Sequence, residues 1–277
     1  MSSVLEKALA IVELLVDQPM GLPVTAIAQA TEQPASGVHR TLQELARLGY
    51  VRQVAAGGDY AMTIKLPAMG LGFLGRAGIT DVAQPVMDQL AADTGELIRL
   101  SVIDNDRLIW VAVAQGATRG LRYDPGQEQG VVVHLASSSG GKAWLASMTD
   151  DEALARVGAQ GLTRQAEGSG PNAPTSITLL LQQLAEARAR GYATAIDSYI
   201  AGMAAMAVPV RYHGTGPVLG CLSIAGPAVR MTPARMAEMA PRLQAAALEL
   251  GAAAAGTKYF QTNVRALETG QPDLKRA

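Results

Sequence analysis

The sequence predicts a two-domain protein of the α+β class. Its length of 277 residues exceeds an ordinary single domain of roughly 100 to 200 residues. A hydrophobic content of 49% is ample for two cores. The first 66 residues read as three helices followed by a hairpin, whereas the remainder alternates between strand-like and helical segments.

Three helices are predicted within the first 50 residues. The first segment, SVLEKALAIVELLVD, places six apolar side chains at helical spacing: Leu5, Ala8, Leu9, Val12, Leu15 and Val16. A short second helix follows in LPVTAIAQATEQ, with Val24 and Ile27 facing inward. The third occupies residues 34–48, because Pro34 suits a first helical turn and Gly49 suits the left-handed residue after a helix end. Since only a tight connection separates the second and third helices, the order is helix, turn, helix.

The third helix has an apolar side and a polar side. Val38, Leu42, Leu45 and Leu48 recur along one stripe of a 3.6-residue period and are predicted to be core. The opposite side gathers Ser36, Arg40, Gln43 and Arg47, with His39 at its margin. Arginine and glutamine side chains match guanine and adenine edges in a DNA major groove, and serine can hold a phosphate. The polar side therefore indicates a DNA-reading surface; the alternative is the ordinary solvent-facing side of an amphipathic helix.

A hairpin follows the third helix directly. The strand-like runs YVRQV and YAMTI are joined by AAGGD, in which Gly57, Gly58 and Asp59 favour a tight turn. A hairpin in this place is a wing, and Arg52 is its candidate phosphate contact. The turn contains no cation, so we expect the wing to contribute weakly to DNA binding.

The charge of this first domain opposes the DNA-binding interpretation. Residues 1–66 contain five basic and six acidic side chains, whereas nucleic-acid-binding modules usually carry a basic patch. DNA binding would depend on the local placement of Arg40, Arg47 and Arg52. The alternative is a metabolite-binding regulator whose N-terminal domain mediates protein contacts.

The residues of this helix-turn-helix resemble a known family. The stretch GLPVTAIAQATEQPASGVHRTLQELARLGYV, with its Pro-x-Ser-x-Val-His-Arg run, is similar to the winged helix-turn-helix of the isocitrate lyase regulator (IclR) family of bacterial transcription factors. Three later stretches, GGKAWLA, GYATAIDSYIAGM and CLSIAGPAVRMT, look like markers of that family's effector-binding domain. The resemblance extends from about Val4 to about Leu250.

The resemblance implies a domain order, a fold and partners. It places a winged helix-turn-helix at residues 1–66, a connector helix at 67–80, a GAF-like effector-binding domain at 81–256 and a loosely held tail at 257–277. The implied partners are double-stranded operator DNA and a small organic acid effector. The connector, KLPAMGLGFLGRAGIT, is more apolar than a free linker needs. In the family such a connector helps to pair protomers, which implies a homodimer or a dimer of dimers; packing onto its own second domain is the alternative.

The second domain reads as an antiparallel sheet flanked by helices. A helix at about residues 82–93 precedes the strand-like runs LIRLSVID and RLIWVAVA. Two helices follow, in ASSSGGKAWLASM and TSITLLLQQLAEARAR, and then three strands, in YATAI, MAAMAVPV and PVLGCLSIA. Thr232 and Pro233 suit the cap and first turn of a final helix.

An anion site is predicted where the SSSGGK stretch opens a helix. The backbone amides of Ser138, Ser139 and Gly140 would offer N–H groups and a positive helix end to a carboxylate. The resemblance implies that this loop faces the effector, together with residues 191–202 and the strand that holds Ser223.

The chain departs from the family pattern where that pattern is most polar. Members that sense small acids carry an acidic residue, a cysteine and a second serine where this chain has Ala195, Ala205 and Ala225. The family also often has two acidic residues after its Gly-Tyr pair, and here only Asp197 is acidic. We therefore expect a larger acid with an apolar or aromatic body; the alternative is a collapsed pocket without a ligand. Further candidates for contact with the effector are Trp110, Arg122 and Tyr123.

Catalytic and cofactor sites find little support. Ser139 and Lys142 have the S-x-x-K spacing of penicillin-binding proteins, but the companion S-D-N and K-T-G motifs are missing. Ala136 and Ala143 break a phosphate-binding P-loop pattern, and the three histidines lack metal-ligand spacing. The single cysteine, Cys221, excludes an intrachain disulfide and a Cys-rich zinc site. We expect no enzyme activity, no cofactor and no metal.

No membrane partner is expected either. Charged residues interrupt the start of the chain, which argues against a signal peptide, and no apolar run approaches the roughly 20 residues that span a bilayer. The expected location is the cytoplasm.

Overall fold

The computed structural model describes residues 3–55, 57–124, 126, 128–164, 169–261 and 264. The chain divides into two compact units, Met1–Arg76 and Ala77–Ala277. The division falls inside the segment predicted as the connector, residues 67–80.

The first unit is a winged helix-turn-helix. Its elements are α1 (Val4–Val16), α2 (Val24–Ala30), α3 (Ala35–Arg47), β1 (Val51–Gln53), β2 (Tyr60–Met62) and α4 (Lys65–Ala77). The two short strands form an antiparallel hairpin in which Arg52 pairs with Ala61. Pro34 has an extended backbone and caps α3, so the helix begins one residue later than the sequence predicts. The core joins α1, α2 and α3 to the hairpin and contains Ile11, Leu15, Ile27, Val38, Leu42, Val51 and Tyr60.

Helix α1 buries a different stripe from the predicted one. Its start agrees with the sequence, since Ser3 and Glu6 form a reciprocal capping box. Ile11 and Leu15 enter the core, whereas the predicted burial of Leu5, Leu9 and Val16 is wrong because these side chains are exposed. Apolar residues surround most of this helix, so spacing alone does not select the side that meets α2. Leu48 is also exposed, because it lies beyond the last turn of α3.

Two helices follow the wing. Helix α4 ends at Ala77, Gly78 takes a left-handed conformation with φ of 74°, and α5 (Ile79–Thr94) begins there rather than at residue 82. Met69, Leu71 and Phe73 of α4 are exposed.

The second unit is built on a five-stranded antiparallel sheet with the strand order β4-β3-β7-β6-β5. The strands are β3 (Leu97–Asp104), β4 (Arg107–Gln115), β5 (Ala193–Ile196), β6 (Met203–Arg211) and β7 (Val218–Pro227). The remaining helices are α6 (Ser139–Ala146), α7 (Asp150–Gln160), α8 (Ile177–Arg190) and α9 (Pro233–Ala253), with 3-10 turns at Tyr212–Gly214 and Ala254–Gly256. The predicted fold class, a two-domain α+β chain, is confirmed.

The sheet separates two cores. Helices α5 and α9 cover one face through a cluster that includes Met87, Ile224 and Leu243. Helices α6, α7 and α8 cover the other face through a cluster that includes Trp144 and Leu184. The candidate site lies on this second face, where α6 begins.

The start of α6 is fixed by a cap and by a glycine. The Ser138 hydroxyl accepts a hydrogen bond from the Gly141 N–H at 2.9 Å and donates one to the His134 carbonyl at 2.7 Å. A Cβ on Gly141 would lie 2.3 Å from the Leu135 carbonyl oxygen, so only glycine allows the helix to begin this close to the preceding turn.

Helix α9 begins as predicted, since the Thr232 side chain accepts a hydrogen bond from the Arg235 N–H at 3.2 Å. The prediction of a loosely held tail after Gly256 does not fit its first residues. Thr257, Phe260 and Val264 are buried. Residues 262, 263 and 265–277 of the predicted tail lie outside the described residues.

Candidate functional site

The polar side of α3 lies on the surface of the first unit. Val38 and Leu42 anchor the opposite side in the core. Five predicted site residues share the outer surface and are all exposed: Ser36, His39, Arg40, Gln43 and Arg47. The structure therefore brings together a guanidinium-rich and amide-bearing face that a DNA groove could accept.

Glu44 changes the charge of this face. The Arg47 Nε donates to Glu44 Oε2 at 3.0 Å, and a second Arg47 nitrogen reaches Oε1. The hydrogen bond from Arg47 lowers the pKa of Glu44. Arg40 has no ion pair or hydrogen bond with the described residues, so it is the available cation at the centre of the face.

The C-terminal end of α3 is held by a residue that the sequence did not indicate. Lys65 Nζ donates to the Leu48 carbonyl at 2.7 Å and lies 4.5 Å from the centre of the Tyr50 ring. A cation at this end of a helix complements its partial negative charge. Arg52 is exposed on β1 and supplies a cation to the described part of the hairpin.

A cavity in the second unit gathers most of the predicted effector residues. Its empty space is about 420 Å³, part of which is open to solvent. Nine predicted residues line it: Trp110, Tyr123, Ser138, Ser139, Gly140, Ala195, Ala205, Ser223 and Ala225. Tyr199 and Ile200, from the predicted segment 191–202, also line it, and the structure adds three that the sequence did not indicate: Arg99, Met203 and Ala204.

The sheet beneath the cavity is a ladder of paired residues that changes from polar to apolar, and Arg99, Ser223 and the three alanines of this ladder line the cavity. Ser101 pairs with Cys221 beneath α6, where a Cβ on Gly140 would lie 3.8 Å from the Cys221 Cβ. Next along the strands, Arg99 pairs with Ser223. The third row crosses four strands and consists of Leu97, Ala225, Ala205 and Ala195. Since paired rows on one face recur every second residue, successive rows are roughly 7 Å apart.

The polar end of the cavity presents hydrogen-bond donors. The N–H groups of Ser139 and Gly140, in the first turn of α6, have no acceptor among the described residues. The Ser139 hydroxyl also makes no hydrogen bond there, whereas the Ser138 hydroxyl is used within its own turn. Free N–H groups at a helix start bind anions. This end is therefore suited to a carboxylate.

Aromatic rings and one buried ion pair form a side wall. The rings of Trp110 and Tyr199 meet edge to face at 5.4 Å, and the Arg99 guanidinium lies 4.8 Å from the Trp110 ring centre. Arg99 Nη1 donates to Glu128 Oε2 at 2.6 Å, and the Tyr123 hydroxyl donates to Glu128 Oε1 at 2.6 Å. Burial, and then the hydrogen bond to Glu128, raise the pKa of Tyr123, so its phenol stays protonated.

Two predicted effector residues lie elsewhere. Arg122 is exposed and does not line the cavity. Asp197 does not line it either; its carboxylate accepts the Gly202 N–H at 2.6 Å and holds the turn between β5 and β6. The sequence did contain a signal for Arg99, since it is the one charged residue within the otherwise buried part of the strand LIRLSVID.

Ser139 and Lys142, which have the S-x-x-K spacing, are not hydrogen-bonded to each other. Lys142 Nζ donates instead to the Thr194 carbonyl at 3.3 Å. His134 contacts Ser137 rather than Ser139, with 2.8 Å between Nδ1 and the hydroxyl oxygen. Within the described ranges, no group of three or more His, Cys, Asp or Glu side chains is placed to hold a metal ion. No described helix is long and apolar enough to cross a membrane.

A winged helix-turn-helix with an exposed polar face, and a second unit whose cavity meets the start of a helix with N–H groups lacking an acceptor among the described residues, are the arrangement of a ligand-responsive transcriptional regulator. The comparisons with known proteins agree. Residues 72–252 match the C-terminal domain of the bacterial transcriptional regulator IclR, and residues 4–55 match the IclR helix-turn-helix domain. The chain belongs to the IclR family of DNA-binding transcriptional regulators.

Relatives and solved structures match along most of their length. The acetate operon repressor of Salmonella typhimurium is 26% identical, with 92% of this chain and 90% of that protein covered. The Thermotoga maritima IclR structure has a TM-score of 0.68 at 25% identity, covering 89% of this chain and 96% of that chain. An IclR homologue from Microbacterium hydrocarbonoxydans, complexed with 4-hydroxybenzoate, has a TM-score of 0.72 at 20% identity, covering 92% of this chain and 100% of that chain.

Proposed function

We propose that this regulator changes its binding to operator DNA when a small organic acid with an apolar or aromatic body enters the cavity of the second unit. The single observation that carries this proposal is the change from polar to apolar along the sheet beneath the cavity. Donors of α6 lie over the row of Ser101 and Cys221, and the row of three alanines lies two rows further along the strands. A molecule that matches both ends has a carboxylate at one end and an apolar body at the other.

A two-carbon oxoacid fits this cavity poorly. Nearly every atom of such an acid is polar, and each buried polar atom without a partner costs roughly 1 to 3 kcal/mol. Ala195, Ala205 and Ala225 offer methyl groups only. Trp110 and Tyr199 add aromatic surface along the wall, which favours a planar or extended apolar body.

Calorimetric titration of the full chain tests the effector class. The panel contains 4-hydroxybenzoate, benzoate, hexanoate, glyoxylate and pyruvate; the first is the ligand of the Microbacterium homologue and serves as a probe. We expect the aromatic or longer acids to bind more tightly than both oxoacids, and the Ser139→Ala variant to bind them about threefold more weakly. Tighter binding of glyoxylate or pyruvate would contradict the role given to the alanines. Binding of none of the five would indicate a collapsed pocket.

We propose that α3 enters the major groove of double-stranded operator DNA. Support comes from the exposed arrangement of Ser36, His39, Arg40, Gln43 and Arg47 and from Arg52 on the wing. Electrophoretic shift with DNA upstream of the chain's own gene tests this, and Arg52→Ala should weaken binding to all sequences equally while reducing the salt dependence by about one phosphate contact. A DNA partner also places the protein in the bacterial cytoplasm.

One observation favours a second role for the N-terminal unit. Its first 66 residues hold five basic and six acidic side chains, a balance that suits protein contacts better than DNA. If no shift is seen at low salt with the upstream DNA or with a random-sequence DNA pool, the protein-contact alternative replaces groove reading.

We propose that the active form is a homodimer or a dimer of dimers. A single reading helix covers half of a two-fold operator, and apolar side chains are exposed on α1 and α4, among them Leu5, Leu9, Met69 and Leu71. Light scattering should show at least a dimer at micromolar concentration. A monomer both with and without DNA would contradict this.

We further propose that the protein has no hydrolase activity. The Ser139 hydroxyl lacks a hydrogen bond to a base among the described residues, since Lys142 and His134 are engaged elsewhere. A panel of ester and amide substrates should show no turnover that depends on Ser139.

A further inference from the structure

Glu128 holds an unusual position in the wall of the cavity. It lies in the connection between β4 and α6, yet its carboxylate is bound by Arg99 and by the Tyr123 hydroxyl, each at 2.6 Å. The Arg99 and Glu128 side chains are only 7% and 12% exposed. The ion pair is therefore largely removed from water, and its arginine lines the cavity.

Arg99 has donors to spare. A guanidinium carries five N–H groups. Glu128 accepts a hydrogen bond from only one of the three guanidinium nitrogens of Arg99, Nη1. The buried Nε has no hydrogen-bond partner among the described residues, although buried donors are normally paired. Arginine and carboxylate groups commonly bind through two parallel hydrogen bonds. The pair with Glu128 leaves that capacity unused at the wall of an open cavity.

Arg99 and the first turn of α6 line the same cavity. Arg99 and Ser223 form the row next to Ser101 and Cys221, over which Gly140 sits. The two rows are roughly 7 Å apart along the strands, a distance that an arginine side chain can span. A carboxylate bound to the N–H groups of Ser139 and Gly140 therefore lies within reach of the guanidinium.

We propose that Glu128 is a built-in competitor for the carboxylate of the effector. In the absence of effector it occupies Arg99; an entering acid takes over the guanidinium, and the Glu128 side chain turns towards water. The exchange leaves no buried charge unpaired, because one carboxylate replaces another on Arg99. Glu128 thereby sets the affinity for acids and excludes neutral molecules of the same shape, which have no charge to offer in exchange. This inference rests on the function proposed above.

The test is the sign of the change in affinity when Glu128 loses its charge. Calorimetry compares the wild-type full chain with Glu128→Gln, using 4-hydroxybenzoate, benzoate and uncharged benzamide. Because the acid no longer competes with a charged hydrogen bond, we expect Glu128→Gln to bind the acids at least about tenfold more tightly. Benzamide should show no such gain. The matched control is Glu249→Gln on α9, the same substitution at an exposed residue outside the cavity, which should leave acid affinity unchanged.

Tyr123→Phe provides a second variant, since it removes only the hydroxyl that holds the other oxygen of Glu128. It should tighten acid binding by about threefold. If thermal melting shows that Glu128→Gln does not fold, the affinity of Tyr123→Phe alone tests whether Glu128 competes with the acid for Arg99. Equal or weaker acid binding in both variants would overturn the inference, because Glu128 would then orient Arg99 for the ligand. If the wild type binds an acid that Ser139→Ala weakens, that result leaves the proposed function standing. Failure of every chain to bind either acid overturns both.

Discussion

The same kind of ion pair occurs in the two units of the chain, in opposite surroundings. The Arg47 and Glu44 side chains on α3 are 67% and 57% exposed, whereas those of Arg99 and Glu128 at the cavity are 7% and 12% exposed. Water and salt screen the first pair, so its partners separate at little cost. The second pair is desolvated, so neither partner can be lost without a replacement.

The difference separates two ways of recognising a ligand. On α3 a charged group can leave its neighbour for a phosphate or a base edge, so specificity depends on how Arg40, Gln43 and Arg47 are spaced along the helix. In the cavity an anion must replace an existing one, so specificity depends on charge before shape. The α3 surface would thus discriminate between DNA sequences by the positions of its side chains, and the cavity between ligands by whether they carry a carboxylate that can replace Glu128 on Arg99.

Lys142 extends the comparison to a buried cation without a bound carboxylate. Its ammonium group donates to the Thr194 carbonyl at 3.3 Å, and its side chain is buried in α6. Burial, and then the nearby Arg190, lower the pKa of Lys142 to about 8. This buried ammonium group has a carbonyl oxygen as its hydrogen-bond acceptor and no ion pair with a carboxylate among the described residues.

The largest expected effect comes from breaking the buried pair. Arg99→Met removes the cationic partner of Glu128, whose carboxylate must then stay buried with only the Tyr123 hydroxyl or leave its place in the wall, and the free energy of unfolding should fall by about 3 kcal/mol. Arg47→Met should leave that free energy within experimental error, because its pair is screened. Chemical denaturation of both variants provides the measurement. Similar losses in the two would show that burial does not distinguish the pairs.

The next effect concerns the buried lysine and pH. Because the folded-state pKa of Lys142 is lowered to about 8 from an ordinary value of 10.5, the unfolded chain binds more protons between these values, and the contribution of Lys142 to stability rises with pH in that window. Below pH 8 the burial penalty is fully present. Lys142→Met should therefore stabilise the chain by about 2 kcal/mol at pH 7, and less at pH 10. A gain of equal size at both pH values in thermal denaturation would disprove this assignment.

The third effect concerns the free cation of α3. Arg40 has no partner among the described residues, so Arg40→Ala should cost at least about 1 kcal/mol of discrimination at one base position if it pairs with a guanine. Binding competitions between operator variants measure this quantity. Unchanged preference at every position, in a variant that melts like the wild type, would remove Arg40 from base reading.

The contrast between the two units also decides what the sequence could predict. The exposed polar face of α3 follows from local spacing, because Val38 and Leu42 set the buried side and thereby the exposed one. Helix α1 shows the limit of that reasoning. Its apolar residues lie on most sides, and only packing against the rest of the unit determines that Ile11 and Leu15 are the buried ones.

The cavity depends on pairing between distant strands. The three alanines became candidates through resemblance, and their common row arises only from the register of β5, β6 and β7. Arg99 and Glu128 are 29 residues apart, so no local pattern joins them. The prediction of Arg122 as a cavity residue is wrong for the same reason, since the local sequence does not determine which side chains of this loop reach the cavity.

The smallest effect is expected from the exposed pair of Arg47 and Glu44 on α3. Glu44→Gln removes the charge that neutralises Arg47, so binding to operator DNA should tighten by about twofold at low salt and by less at high salt, where exposed charges are screened. The free energy of unfolding should not change. Electrophoretic titration at two salt concentrations measures both the gain and its loss. Weaker DNA binding would mean that Glu44 holds Arg47 in the orientation that the groove requires, and the exposed pair would then resemble a positioning device rather than a passive contact.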